Sequence, residues 1–193
     1  AVTAVEKDSR FAERLRESLG DQIKIIRADI LDFDLASWLQ PGQRQAVVGN
    51  VPYNISTGIL RAILPHLDHL SGLLVMVQLE FAARLAAPEG NKDYGSLSVF
   101  AQLRAGVKKE FVVSKGCFSP VPKVDSAVVS LTPLTLPHSS TLLADVEKIC
   151  RAAFSQRRKK LRNSMATFKG NVDGAQCPID LNRRPETLTP AEF

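Results

Sequence analysis

No stretch of this 193-residue chain approaches the roughly 20 consecutive apolar residues that a membrane-spanning helix requires. The opening residues, Ala1-Val2-Thr3-Ala4-Val5-Glu6, lack the basic start and long apolar centre of a secretory leader. Cysteine is scarce: Cys117, Cys150 and Cys177 are odd in number and far apart, which argues against a disulfide framework or a zinc site. They read as buried hydrophobes rather than nucleophiles. His66, His69 and His138 are not at metal-ligand spacing with cysteines or acids. The expectations are no metal, no membrane and a reducing, cytoplasmic setting. Internal repeats and low-complexity tracts are missing. So is the glycine-rich turn that follows the first strand of a doubly wound nucleotide-binding sheet.

What is present suits one main core with a small appended module, since 45% of residues are hydrophobic and 23% charged. Trp38 is expected to pack on that core. The net charge of +5 is uneven, because ten Lys/Arg face six Asp/Glu between positions 135 and 193. Its peak is Arg157-Arg158-Lys159-Lys160-Leu161-Arg162. Such a run can neutralise nucleic-acid phosphates, or it can be a solvated helix face.

Apolar periodicity divides the chain in two. Strands are expected at Val2–Val5, Gln22–Ala28, Ala46–Val48 and Gly72–Gln78. Helices should run from a Ser9 cap to Leu19, from a Ser56 cap through Leu64, from Leu79 to Ala87 and from Gly95-Ser96 to about Ala105. Alternating strands and helices predict an α/β fold with a parallel sheet covered on both faces. Val107–Val113 and Ser126–Leu131 then follow each other with no helix between, which predicts an antiparallel hairpin at the sheet end. A proline-stiffened loop, 115–123, links them. Pro133 to Ser140 reads as a linker. Beyond it, Leu142, Leu143, Val146, Ile149, Cys150, Ala153 and Phe154 recur at helical spacing. The domains are therefore 1–134, a Rossmann-like sheet, and 135–193, a small helical unit. The absent first strand and glycine-rich loop, and an end at Pro190-Ala191-Glu192-Phe193 that resembles a helix start, predict truncation at both ends.

Three polar residues end three strands in series. Glu6 can accept hydrogen bonds from ribose hydroxyls, and Asp29 from an adenine amine. Singly, such residues also start turns or cap helices. Asn50 opens Asn50-Val51-Pro52-Tyr53-Asn54-Ile55-Ser56. A base amine is a poor nucleophile because its lone pair is delocalised into the ring. Two acceptors on its hydrogens, the Asn50 side-chain oxygen and the Val51 carbonyl, favour a pyramidal nitrogen. Pro52 restricts Val51 to extended geometry and so aims that carbonyl. Tyr53 can stack on an extruded base. A surface turn would use the same residue types.

In these segments the chain resembles the rRNA adenine N6-dimethyltransferases, in particular those acting on the small subunit. Val5-Glu6-Lys7-Asp8 and Asp29 are similar to two cofactor motifs of that family, and 50–56 to its catalytic motif, with Val51 where Leu is usual. Lys92-Asp93-Tyr94-Gly95-Ser96, the long Phe118-to-Val129 segment, the run Gln156 to Ser164 and Asp180 to Glu186 continue the match. The resemblance implies an S-adenosylmethionine-dependent methyltransferase fold. It also implies dimethylation of two adjacent adenosines in the 3′-terminal hairpin of small-subunit (16S) rRNA, on the immature 30S subunit, by a monomer. Glu6, Asp29 and Asn50 would hold the cofactor, and Asn50, Val51, Pro52 and Tyr53 would form the catalytic turn. Tyr53 and Phe118 would sandwich the adenine, although Phe118 could instead pack beneath the Pro120/Pro122 loop. Lys123, Arg157, Arg158, Lys159, Lys160 and Arg162 would contact RNA, with Lys123 alternatively paired to Asp125. Without the family's glycine-rich loop, this 193-residue chain is expected to bind cofactor weakly and to be inactive, whereas its full-length parent is expected to be an enzyme. Rival readings are a large-subunit rRNA methyltransferase, a DNA amino-methyltransferase and a noncatalytic RNA-binding factor.

Overall fold

The computed structural model describes residues 1–40, 42–135, 140–166 and 178–193. Strand β1 (Val2–Glu6) and helix α1 (Ser9–Leu19) are followed by β2 (Ile23–Arg27) and the short α2 (Leu35–Trp38). Next come β3 (Gln45–Asn50), α3 (Ser56–Ile63), β4 (Leu70–Gln78), α4 (Leu79–Leu85) and α5 (Ser96–Gln102). β5 (Ala105–Val113) and β6 (Ser126–Pro133) end the sheet, and α6 (Ser140–Ser155) and α7 (Leu161–Ser164) lie beyond it.

The expected elements form, but the single parallel sheet does not. β1 and β2 pair in parallel as one ladder, and β3, β4, β6 and β5 form another in that order. β3 and β4 are parallel, whereas β6 runs antiparallel to both β4 and β5. The hairpin expectation holds, with β6 inserted between β4 and β5. Among the described residues nothing bonds the outer edge of β1 or of β3. Coverage of both faces also fails at β3. Its side chains alternate between partly buried and exposed, and Val48 is 75% exposed, because α1 packs on β1 and β2 instead.

The two ladders are joined through the segment after β2. Ile30, Phe33, Leu35, Trp38 and Leu39 pack on the same core as Leu60, Leu64, Val75, Val77 and Val129. Trp38 also meets Phe33, ring centroids 6.5 Å apart. A Cβ on Gly58 of α3 would lie 3.0 Å from Leu31 Cδ2, so the loop after Asp29 lies close against the helix after Asn50.

Two caps differ from expectation. α1 is capped by Asp8, whose Oδ1 accepts the Arg10 N–H at 2.9 Å, not by Ser9. Asp8 keeps extended backbone and Ser9 is already helical, and that decides between two good capping residues. Ser56 is the first residue of α3, and its hydroxyl donates back to the carbonyls of Pro52 (3.1 Å) and Tyr53 (3.3 Å). It locks the preceding turn.

β6 extends to Pro133, so the expected linker begins inside a strand; 136–139 lie outside the described residues. α6 is half of a shared core: Cys150, Val146 and Phe154 pack with Tyr94, Val99 and Ala87 of the sheet domain. Burial pushes the Cys150 thiol up to about 12, in keeping with a buried hydrophobe. Cys117, by contrast, is exposed because it sits in the turn before Phe118, and Cys177 is outside the described residues. A second cluster of Ala153, Leu161 and Leu188 also takes in Phe193.

The last turn is acid-sensitive. Glu192 is held at about 2, below its ordinary 4.5, first by the Arg183 guanidinium (2.5 Å) and then by the Thr189 N–H (2.8 Å). Its support is complete above the ordinary value and lost as pH falls through about 2. The Thr189 amide resonance is expected to titrate near pH 2; a midpoint at 4.5 would show the contact absent.

Candidate active site

The carboxyl ends of β1, β2 and β3 carry Glu6, the residues leading to Asp29, and Asn50, as the sequence implies. The parallel register sets Glu6 beside Arg27, and the Ala28 N–H donates to the Glu6 carbonyl at 3.1 Å. Glu6 Oε1 accepts the Asp8 N–H at 2.7 Å, which fixes the carboxylate over the turn. A hollow of about 650 Å³ opens there, lined by Glu6, Lys7, Asp8, Ser9, Arg10, Phe11 and Arg27. Phe11 is exposed in it and offers an apolar wall. An anchored carboxylate beside an apolar ring fits an adenosine group.

Asp29 is engaged from both sides. Its Oδ1 accepts the Leu31 N–H at 3.0 Å, and its Oδ2 accepts Lys7 Nζ at 2.7 Å. The Lys7 hydrogen bond, then that from Leu31, hold its carboxyl below the usual range. Sequence reading missed Lys7. The pairing joins residues 22 apart and follows only from the β1–β2 register, which places the ends of both strands side by side.

At the end of β3 the Val51 N–H donates to the Met76 carbonyl (3.0 Å), extending the ladder by one bond. The Pro52 carbonyl is occupied by Ile55 N–H and Ser56 Oγ. Among the described residues, no hydrogen bond engages the Asn50 side chain or the Val51 carbonyl. Asn50 is exposed and Val51 buried, so the amide projects from a fixed base. Tyr53 is half-buried, and its hydroxyl lies 2.7 Å from Ser126 Oγ.

Phe118 is half-buried at the end of a 3₁₀ turn, Lys115–Cys117, between β5 and β6. The turn is tied down by Asp125, whose Oδ1 accepts the Lys115 N–H at 2.9 Å and whose carbonyl accepts the Leu79 N–H at 3.0 Å. The expected Lys123–Asp125 ion pair is not among the described ones, and Lys123 is exposed. Asp125 fixes the loop through backbone instead.

The basic run is a turn rather than a helix face, since α6 ends at Ser155 and α7 begins at Leu161. Arg157 points inward: its Nε donates to Glu186 Oε2 (2.9 Å) and its Nη2 to the Asn91 carbonyl (3.0 Å). It is spent on joining the C-terminal unit to the sheet domain. Arg158, Lys159, Lys160 and Arg162 are exposed. No cluster of His, Cys, Asp and Glu suited to a metal occurs among the described residues, and no helix there is long and apolar enough to cross a membrane.

Two solved structures share this fold over 99% of the chain. One is a dimethyladenosine transferase from Plasmodium falciparum, with a TM-score of 0.77, 22% identity and 78% of that chain covered. The other is the 23S rRNA methyltransferase ErmE, with a TM-score of 0.69, 24% identity and 78% covered. The fold is that of the S-adenosylmethionine-dependent methyltransferases.

The ribosomal RNA adenine dimethylase family profile matches residues 1–192. Ribosomal RNA small subunit methyltransferase A of Geobacter metallireducens is 42% identical over all of this chain and 74% of its own length. The protein of that name from Pseudomonas aeruginosa is 39% identical, with 72% of its length covered. The chain belongs to the ribosomal RNA adenine dimethylase family, and its methyl donor is S-adenosylmethionine.

Proposed function

We propose that this protein dimethylates N6 of two adjacent adenosines in the 3′-terminal hairpin of small-subunit rRNA. On this reading it acts as a monomer in the cytoplasm, on the immature small subunit. Relatives named for the small subunit support that choice over the large subunit or DNA. The observation that carries the chemistry is the pair of unengaged acceptors, the Asn50 side chain and the Val51 carbonyl, beside half-buried Tyr53.

S-adenosylmethionine supplies an already activated sulfonium methyl. Glu6 would hold the ribose in the hollow at the end of β1, and Asp29 the adenine amine. Asp29 would exchange Lys7 for that amine at little cost, because Lys7 is 75% exposed and such pairs are weak. Asn50, Val51 and Pro52 would orient the target amine, with Tyr53 and Phe118 on the two faces of the base. Alignment of nitrogen, methyl and sulfur supplies most of the acceleration. Residues 1–134 form the catalytic unit, and Arg158, Lys159, Lys160, Arg162 and Lys123 would neutralise RNA phosphates.

Incubation of the full-length protein with purified immature small subunits and S-adenosylmethionine, followed by mass spectrometry of nucleosides, tests the reading. Dimethyladenosine in the terminal hairpin is expected; methylation confined to large-subunit rRNA or DNA would overturn it. Asp29→Ala is expected to weaken cofactor binding about tenfold in calorimetry, the loss of one charge-assisted hydrogen bond. An unchanged affinity would remove Asp29 from the cofactor site.

A further inference from the structure

The hydroxyl of Tyr53 is hydrogen-bonded to Ser126, which lies 73 positions away. Ser126 is the first residue of β6 and fully buried, paired with Gln78 of β4 on one side and Val113 of β5 on the other. Because β6 runs antiparallel to β4, its beginning lies at the edge where the parallel strands end. The neighbouring Asp125 secures the other aromatic arm, since it accepts the Lys115 N–H at the base of the Phe118 turn. The Asp125 carbonyl meanwhile accepts the Leu79 N–H and fastens both residues to the start of α4.

Two aromatic side chains from distant parts of the chain are therefore referred to one dipeptide at the start of a central strand. We infer that Asp125-Ser126 is a positioning node that sets the orientation of Tyr53 and the reach of Phe118, so that an adenine base fits between them with its amine at Asn50. Ser126 acts through Tyr53 and does not itself meet the substrate. The inference rests on the proposed base-methylating function and adds the residue that tunes it.

A tyrosine held only by its Cβ can turn about χ1 and χ2 when half-exposed. A 2.7 Å hydrogen bond at the ring's far end removes that freedom without adding bulk to the base site. Misplacing a reacting nitrogen by a fraction of an ångström lowers the rate of an alignment-driven reaction. RNA affinity, by contrast, comes mostly from phosphate contacts elsewhere. Losing the Ser126 hydroxyl should therefore lower kcat and leave the KM for RNA in place.

The test compares wild type, Ser126→Ala, Tyr53→Phe and the double variant, each checked for an unchanged thermal transition. Methylation is measured on immature small subunits, and fluorescence quenching on a hairpin carrying 2-aminopurine at the target position. Each single variant is expected to lose about three- to tenfold in kcat, the span of one ordinary hydrogen bond, with KM unchanged. The double variant should be no worse than either single one. Quenching of 2-aminopurine should weaken in parallel. Tyr53→Phe keeps the ring, so it tests the inference even where Ser126→Ala lowers stability. Wild-type kcat and quenching in both single variants, or additive losses in the double one, would overturn the node. A wild type that methylates no adenosine and quenches no 2-aminopurine would instead overturn the function on which it rests.

Discussion

Asn50→Ala is expected to lower methyl transfer by about 10²–10³-fold, the loss typical when one preorganised polar group at a reacting centre is removed. The side chain is exposed, ends β3 and has no hydrogen-bond partner among the described residues, so its removal disturbs no packing. Its base stays fixed, because the Val51 N–H still reaches the Met76 carbonyl. The Val51 carbonyl would remain as the lone acceptor, and the target amine would keep its planar, unreactive form. RNA affinity should stay within about twofold, since phosphates rather than this amide govern it. Single-turnover kinetics with filter binding measures both quantities. Retained methylation would remove Asn50 from the catalytic turn, and a parallel collapse of RNA binding would favour a noncatalytic binder.

Tyr94→Ala is expected to carry the largest stability cost, about 3–5 kcal/mol, as for other buried aromatic truncations. Tyr94 is fully buried, meets Phe154 edge-on at 5.9 Å and donates its hydroxyl to the Leu188 carbonyl at 2.9 Å. Burial raises its phenol above the ordinary range, so the donor proton stays in place through neutral and mildly alkaline pH. Tyr94→Phe keeps the ring and strands the Leu188 carbonyl, at about 1–3 kcal/mol. Urea unfolding by linear extrapolation separates the two. Equal costs would mean that the hydroxyl rather than the ring holds the C-terminal unit.

The elements with dense apolar periodicity were legible in the sequence: β4, α3, α6 and the β5–β6 hairpin lie where Leu, Ile and Val recur at the right spacing. The strand-end order of Glu6, Asp29 and Asn50 was legible too, because short strands followed by polar residues mark the carboxyl edge of a parallel sheet. Features that depend on register were not. The Lys7–Asp29 contact and the Tyr53–Ser126 bond join positions with no local signal, and each follows only after strand neighbours are assigned. The inward turn of Arg157 was hidden for a similar reason. A cation within a basic run looks like its neighbours until Glu186 is placed opposite it. The separation of β1 from β3 escaped as well, because apolar pattern reveals that strands exist and says little about which edges bond.

The shared packing of Tyr94, Phe154 and Phe193 has one more consequence. It ties the basic turn to the sheet domain through common apolar contacts, so packing sets how far Arg158 to Arg162 stand from Asn50. If those cations grip an RNA stem as proposed, the arrangement would work as a measuring stick. The adenosine modified would then be chosen by its distance along the stem from the grip as well as by the amine it offers to Asn50.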